Sequence, residues 1–505
     1  MIKCEPFLPK SDYYNPAMIV DFYEFSMANS LFLNGFKDKV LVFDMFFRKN
    51  PDNLGYSIIA GQEKLTKFLL NYHFNDEDII YLRHKGMSEE FLSYLKNYKW
   101  NGTMYALKEG TVAYPQIPIV RIECDMVGAI LIETYLLQTI NFASLIATKA
   151  TRISGLATHK DRNILEFGAR RAQGDTASIF GAYAAVLGGC VATANCLAEM
   201  NYGEDVKATG TVAHSYIEFF PTEYDAFLAY ANTYPNNVSL LLDTYNVFES
   251  GLPNLIKLDD YLIKKYPNDP SKRVKSARID SGDLARYYKR LRKALDNANK
   301  PYIKLVASNS LDEQKIENME IYENAKFDFY GVGENLITSA SDPVFSGVYK
   351  LVAIKNEDGT YTPKMKCSDS KTKAIIPGKL MVYRVFDEDD KAQCDIIALD
   401  DEILNENEEI KVYNFNPDDF HKFRYIKPLK IEKLLIPFIE NGKLVYEFPP
   451  IFKRKEYVKD QLENHTWESE LRKEMPHIHY VDLTEKVYNL REELYEQLHG
   501  GKLVD

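Results

Sequence analysis

Short-spaced cysteine pairs are missing from this chain, and it has only two tryptophans. Its six cysteines are Cys4, Cys124, Cys190, Cys196, Cys367 and Cys394. They include no CxxC pair and no zinc-ligand spacing with histidine, which argues against a disulfide scaffold or a zinc ribbon. A reducing compartment is expected. The opening MIKCEPFLPK has no apolar stretch of the signal-peptide kind. No run of about 18 consecutive apolar residues occurs. The most apolar stretch, MVGAILIETYLL, carries Glu133 and reads as a core helix. Positive charge is also in deficit: 62 Lys and Arg against 73 Asp and Glu give a formal net charge of −11. That argues against binding nucleic acid through a global basic field, while leaving room for a local basic pocket. A cytoplasmic protein is expected, with no nucleic-acid and no membrane partner.

What the chain does have is an ordinary globular make-up, with 46 % hydrophobic and 27 % charged residues in 505. Asn15-Pro16 predicts a cap and first-turn proline for a helix MIVDFYEFSMANSLF. A strand follows at VLVFDMFFR, residues 40 to 48, then helical patterns, then short strands at TVAYP and IVRIEC. The stretch 127–160 reads as helical. From about residue 163 short apolar runs recur: NILEF, CVATAN, VKATGTV (206–212), SLLLD, VKSARID, IKLVASN and FDFYGVG. Helical segments separate most of them, which predicts a parallel α/β sheet or barrel. VYKLVAI at 348–354 is a candidate for one more strand. Beyond 355 the chain reads as polar and irregular, with the acidic clusters DEDDK and LNENEE as solvated loops and a helical tail TEKVYNLREELYEQL.

In an α/β barrel the reacting groups gather at the C-terminal ends of the strands. The runs end on Phe167 to Arg171, Gly210 to Ser215, Asp243, Arg278 to Asp283, Ser308-Asn309 and Gly331 to Gly333. Together these make a cationic, hydrogen-bonding pocket with carboxylates, suited to a phosphorylated sugar. Asp243 by itself reads as a cap or turn former. Arg170 and Arg171 offer bidentate guanidinium groups to a phosphate or to salt bridges at a domain boundary. His214 has the chemistry of a general base or nucleophile, and also that of a structural hydrogen-bonder. Arg278 and Asp280 precede a turn in which Asp283 can cap the next helix. The glycines of YGVGENL allow close backbone approach and, at positive φ, a nest of N–H donors.

The series VDFYEFSMA, FDMFFRKNP with AGQE, NFASLIATKATR, LEFGARRAQG, GTVAHSY, ARIDSGDL, ASNSLDE and GVYKLVAI, in family order from residue 20 to about 354, resembles the nicotinate phosphoribosyltransferase family, and LLIPFIENGKLVYEFP and YVDLTEKVYNL extend the resemblance over nearly the whole chain. The resemblance implies an irregular β/α barrel of the type II phosphoribosyltransferase kind, with a second α+β domain built from the N- and C-terminal parts. The implied division is 1–140, 141–355 carrying the active site, and 356–505 packing back on the first. It implies transfer of phosphoribosyl from phosphoribosyl pyrophosphate (PRPP) to nicotinate, with ATP as co-substrate, Mg²⁺ accompanying PRPP and ATP, and a phosphohistidine at His214. It implies a homodimer with shared sites. Tyr23, from the partner subunit, and Phe167 would sandwich the pyridine ring; Thr211 and Arg278 would hold the carboxylate. Asp280 would lie near the ring nitrogen and ribose. Arg170, Ser308, Asn309 and Gly331 to Gly333 would handle phosphates, Ser215 would orient the phosphate at His214, and Arg48 would reach pyrophosphate across the interface. Where many members have Thr after GxG, this chain has Glu334.

Three other readings compete. A nicotinamide- or quinolinate-using transferase is the nearest, but GCVATAN (189–195) lacks the acid that would face an amide. A Schiff-base aldolase barrel would need Lys207, Lys275 or Lys304, each near a strand start, the wrong end. A non-catalytic paralogue acting as a binding or scaffold protein is disfavoured by His214, Arg278 and Asp280 standing together.

Overall fold

The computed structural model describes residues 12–499 apart from 159, 161, 367–374 and 416–421. Cys4, Cys367 and the opening decapeptide lie outside the described residues. Asn15 does accept the Ala17 N–H, but with Pro16 it opens only one 3-10 turn, Pro16–Met18. The single helix expected from Pro16 is therefore corrected. The β-branched pair Ile19-Val20 leaves helical geometry, and α1 (Phe22–Leu33) begins afresh behind Asp21. There follow β1 (Val40–Phe47), β2 (Ser57–Ile58), α2 (Gln62–Leu70), α3 (Asp76–His84), α4 (Glu89–Lys96), β3 (Thr103–Ala106), β4 (Val112–Ala113), β5 (Val120–Asp125), α5 (Met126–Ile130) and α6 (Glu133–Ser154). Asn75 and Asp78 form a capping box for α3, and Ser88 caps α4. Residues 126–154 have the length and mean hydropathy of a membrane span, yet 67 % of their most apolar window is buried in the fold. They are core helix, as Glu133 suggested.

The next segment alternates strand and helix: β6 (Ile164–Glu166), α7 (Asp175–Leu187), β7 (Ala192–Thr193), α8 (Cys196–Tyr202), α9 (His214–Glu218), α10 (Glu223–Thr233), β8 (Val238–Leu241), α11 (Leu252–Lys265), β9 (Val274–Ile279), α12 (Leu284–Asn297), β10 (Lys304–Ala307), α13 (Glu313–Glu317), β11 (Phe329–Val332) and α14 (Glu334–Ile337). All ladders here are parallel, in the order β7-β6-β11-β10-β9-β8. The last strand, β11, pairs with the first, β6, so the sheet curls round in chain order. The expected strand 206–212 is corrected to a single bridge, Thr193 to Ala208. Thr193 N–H reaches Lys207 O and Thr209 N–H reaches Thr193 O, which satisfies one side only. Among the described residues no ladder joins 207–209 to β8, and this is the seam of an irregular barrel.

After it come β12 (Gly347–Lys355), β13 (Tyr361–Pro363), β14 (Leu380–Phe386), β15 (Ala392–Leu399), β16 (Ile410–Asn414), β17 (Phe423–Ile426), β18 (Lys430–Lys433), β19 (Ile436–Glu440), β20 (Lys443–Leu444), α15 (Ile451–Asp460), β21 (Val481–Thr484) and α16 (Glu485–His499). VYKLVAI is not a barrel strand: β12 pairs antiparallel with β1 in the sheet β13-β12-β1-β5-β3-β19-β20. Nor is the chain beyond 355 irregular, since β17-β16-β21-β15-β14-β18 form a further sheet, mixed through the parallel pair β15 and β21. The acidic cluster DEDDK is the β14–β15 turn, in which Asp387 accepts the Asp389 and Lys391 N–H groups. The chain divides into two compact units. One runs to Leu145, resumes at Val344–Pro450 and again from Glu456; the other is Ile146–Pro343 with Ile451–Lys455.

Candidate active site

The barrel strands deliver their polar ends to one region. Arg278, the last residue but one of β9, is braced on both sides. Its Nη1 donates to Thr211 Oγ1 at 2.9 Å and its Nη2 to Asp280 Oδ2 at 3.3 Å. Asp280 Oδ1 accepts the Ser308 hydroxyl at 2.7 Å. Its backbone N–H donates to Asp243 Oδ2 at 2.8 Å, and Ser281 donates to the same oxygen at 2.6 Å. So Asp243 fixes the turn that presents Asp280. Two polar atoms here are buried without a partner: Arg278 Nε and Asp243 Oδ1. Burial draws the Arg278 guanidinium below its ordinary value; Asp280 and Asp243 offset this, and the charge of Arg170 adds to it.

His214 opens α9 just past the seam, half-buried. Its Nδ1 is 3.1 Å from Thr244 Oγ1, which leaves Nε2 as the nitrogen for a reacting group. Ser215 follows it, exposed. Two side-chain contacts thus cross the open seam, Thr211 to Arg278 and His214 to Thr244.

On the opposite side, Phe167 N–H donates to Val332 O at 2.8 Å. A Cβ at Gly331 would stand 2.6 Å from Phe167 Cδ2. Gly331 is therefore needed to seat the ring. The expected positive-φ nest is corrected: neither Gly331 nor Gly333 has positive φ, and Gly333 sits at φ −111°. Arg170 and Arg171 are exposed on the 3-10 turn Ala169–Arg171. Glu334 turns outward, its Oε2 3.9 Å from Arg171 Nε, with both side chains more than 60 % exposed. Such a pair contributes little stability. Asn309 follows Ser308 in the left-handed region at φ 108° and is exposed.

Phe167, Arg170, Thr211, His214, Ser215, Arg278, Asp280, Ser308, Asn309, Gly331 and Gly333 all belong to the barrel unit. Tyr23 on α1 and Arg48 after β1 belong to the other unit, both exposed. Arg48 N–H donates to Ser346 Oγ at 3.1 Å. Sequence reasoning passed over Asp243 and missed Thr244; the only signal was a polar DT pair closing the apolar run SLLL.

Comparison with known proteins fits this geometry. Residues 18–141 match the nicotinate phosphoribosyltransferase (NAPRTase) N-terminal domain and residues 379–491 the C-terminal domain. The nicotinate phosphoribosyltransferase of Bacillus subtilis is 37 % identical over 93 % of this chain and 93 % of its own. The chain belongs to the nicotinate phosphoribosyltransferase family. The Dictyostelium discoideum member is 30 % identical over 96 % of this chain and 89 % of its own. A crystal structure of human nicotinic acid phosphoribosyltransferase superposes with a TM-score of 0.81 at 25 % identity, covering 94 % of this chain and 100 % of that one. A nicotinate-nucleotide pyrophosphorylase from Pyrococcus furiosus, with a TM-score of 0.66 at 23 % identity over 90 % of this chain and 99 % of its own, shares the fold. Nicotinate phosphoribosyltransferases are enzymes, and the strand ends of this chain bring Arg278, Asp280 and Asp243 into one hydrogen-bonded group.

Proposed function

We propose that this chain transfers the phosphoribosyl group of PRPP to the ring nitrogen of nicotinate, releasing pyrophosphate and forming nicotinate mononucleotide for NAD synthesis. The observation that carries this reading is the braced Arg278–Thr211 pair beside Asp280, in a chain so close to the Bacillus subtilis enzyme along its length. A guanidinium with a hydroxyl beside it matches a planar carboxylate. Asp280, held by Ser308 and Asp243, places negative charge where the anomeric carbon gains oxocarbenium character as pyrophosphate departs. Phe167 offers its ring face to the pyridine. Ser308, expected on a phosphate, instead spends its hydroxyl on Asp280. Arg170 and Asn309 remain exposed for the phosphates.

Mg²⁺ arrives in this reading with PRPP and ATP. Mg²⁺ is held through one or two carboxylates plus substrate phosphates, and Asp280 and Asp243 are the carboxylates of this pocket. In this reading His214 Nε2, the nitrogen that Thr244 does not engage, takes the γ-phosphoryl group of ATP as the β–γ anhydride bond breaks and ADP leaves; Ser215 flanks it. The partner is a second copy of the chain. In support, the single helix α1 exposes four large apolar side chains, Phe22, Tyr23, Met27 and Leu33. Tyr23 and Arg48 then complete the neighbour's site. A cytoplasmic setting fits the cysteines: Cys124, Cys190, Cys196 and Cys394 are free. The deciding experiment measures nicotinate mononucleotide from nicotinate and PRPP, with and without ATP, against nicotinamide and quinolinate. Equal or better turnover of either alternative overturns the assignment.

A further inference from the structure

Glu166 closes β6, is fully buried, and has no part in the chemistry above. Its Oε1 accepts the Gly168 N–H at 2.5 Å and its Oε2 accepts the Thr193 hydroxyl at 2.6 Å. The first bond grips the turn between Phe167 and Arg170. There is no slack in it: a Cβ at Gly168 would stand 2.7 Å from Glu166 Oε1 and 2.6 Å from Ile337 Cβ. The second bond leads to the next strand ends. Thr193 Oγ1 accepts the Asn195 N–H at 3.1 Å, and the Thr193 backbone is what holds 207–209, the lead-in to Thr211 and His214. Asn195 donates to Ser178 Oγ at 2.7 Å and caps α8 through the Leu197 and Ala198 N–H groups.

Both carboxylate oxygens are thus taken by neutral donors. A buried carboxylate so placed is costly to desolvate, and burial pushes the Glu166 carboxyl above its ordinary value against the pull of its two hydrogen bonds. An apolar residue would avoid that cost but leave the Gly168 N–H and the Thr193 hydroxyl unpaired. Geometry is what the carboxylate adds.

We propose that Glu166 is a positioning residue of the transfer reaction, tying the Phe167–Arg170 turn to the ends of β7 and the 207–209 segment so that ring, guanidinium and seam residues meet the substrates in one arrangement. This rests on the substrate roles proposed above for Phe167 and Arg170.

The test is steady-state kinetics on the full-length chain carrying Glu166→Gln, Thr193→Val, both together, or Phe167→Ala. Glu166→Gln keeps the volume and one acceptor, so its Tm is expected to stay near that of the parent. KM for nicotinate and for PRPP should rise, with roughly tenfold loss of kcat/KM, in line with displaced binding groups. Thr193→Val should reproduce the change, and the double variant should be no worse than the worse single one, because all three break one link. If both single variants keep KM for both substrates within about twofold of the parent, or if their effects multiply in the double variant, the proposal fails. So does a fall in Tm with parent KM values, the mark of plain packing. If Phe167→Ala also keeps the parent KM for nicotinate, the reading of the site itself fails, and the positioning role with it.

Discussion

Arg278 spends two of its nitrogens on Thr211 and Asp280 before any ligand arrives. A lysine there could not hold both partners and still present a flat donor edge. Arg278→Lys is expected to lower kcat/KM for nicotinate by about tenfold or more, since one charge-assisted hydrogen bond contributes ~1.5–3 kcal/mol, and to weaken PRPP binding less. Isothermal titration with each ligand would check this; equal weakening of both makes Arg278 a phosphate ligand. His214→Ala should abolish the acid-labile phosphoenzyme formed from γ-labelled ATP while slow ATP-independent transfer persists. Hydrolysis of ATP by the alanine variant in step with product would remove His214 from the coupling. Arg278 and Asp280 were legible as unusual residues at a strand end, and His214 as a histidine beside Gly210, Thr211 and Ser215, although the run before it is no strand. Their supports were not. Asp243 looked like a cap, yet Asn246 caps the following turn and Asp243 serves Asp280 and Ser281. Contacts between residues 28 to 67 apart leave no trace in a local pattern.

Short parallel strands made the barrel readable as an element series, because each apolar run is bounded by polar residues and a helix. The run at 206–212 does not become a strand, and the run at 348–354, a strand as expected, joins another sheet; both outcomes share one cause. The runs at 206–212 and 348–354 are as apolar as true barrel strands, and only pairing tells them apart: one meets a neighbour on a single side and the other joins β1. At this scale Gly331→Ala is informative. The added methyl would meet the Phe167 ring at 2.6 Å, so KM for nicotinate should rise several-fold, and Phe167→Leu in the same chain should relieve part of it. Equal KM values for Gly331→Ala and the parent would separate the ring from the substrate. On α1, Tyr23→Ala should raise KM for nicotinate by the ~0.5–1.5 kcal/mol of a lost aromatic contact. Sedimentation should show a dimer for this variant and the parent; a fully active monomer would sink the shared site.

For the whole molecule, one buried acid adds a definite share to how stability runs with pH. Glu24 lies inside α1 with Oε1 on the Thr134 hydroxyl and Oε2 without a partner. Burial raises its carboxyl from 4.5 to about 7, with Glu133 and Asp21 adding to the rise and Thr134 opposing it. The native state therefore holds this proton more tightly than the unfolded chain. Its stabilising share is complete below pH 4.5 and is lost as pH climbs through 7. Glu24→Gln should flatten the decline in Tm between pH 5 and 8, leaving Tm at pH 4 near the parent's; unchanged curves would show that Glu24 does not titrate there.

The pairing of β1 with β12 also dictates a timetable. Residues 40–47 wait for residues 347–355, and at ~5–20 residues per second the ribosome takes on the order of 15–60 seconds to deliver them. Every barrel strand, through Val332, has emerged by then. The barrel strands are all made while the sheet β1-β5-β3 stands with both edges bare, β1 awaiting β12 and β3 awaiting β19, and during synthesis these edges are open to capture by another nascent chain or by a chaperone.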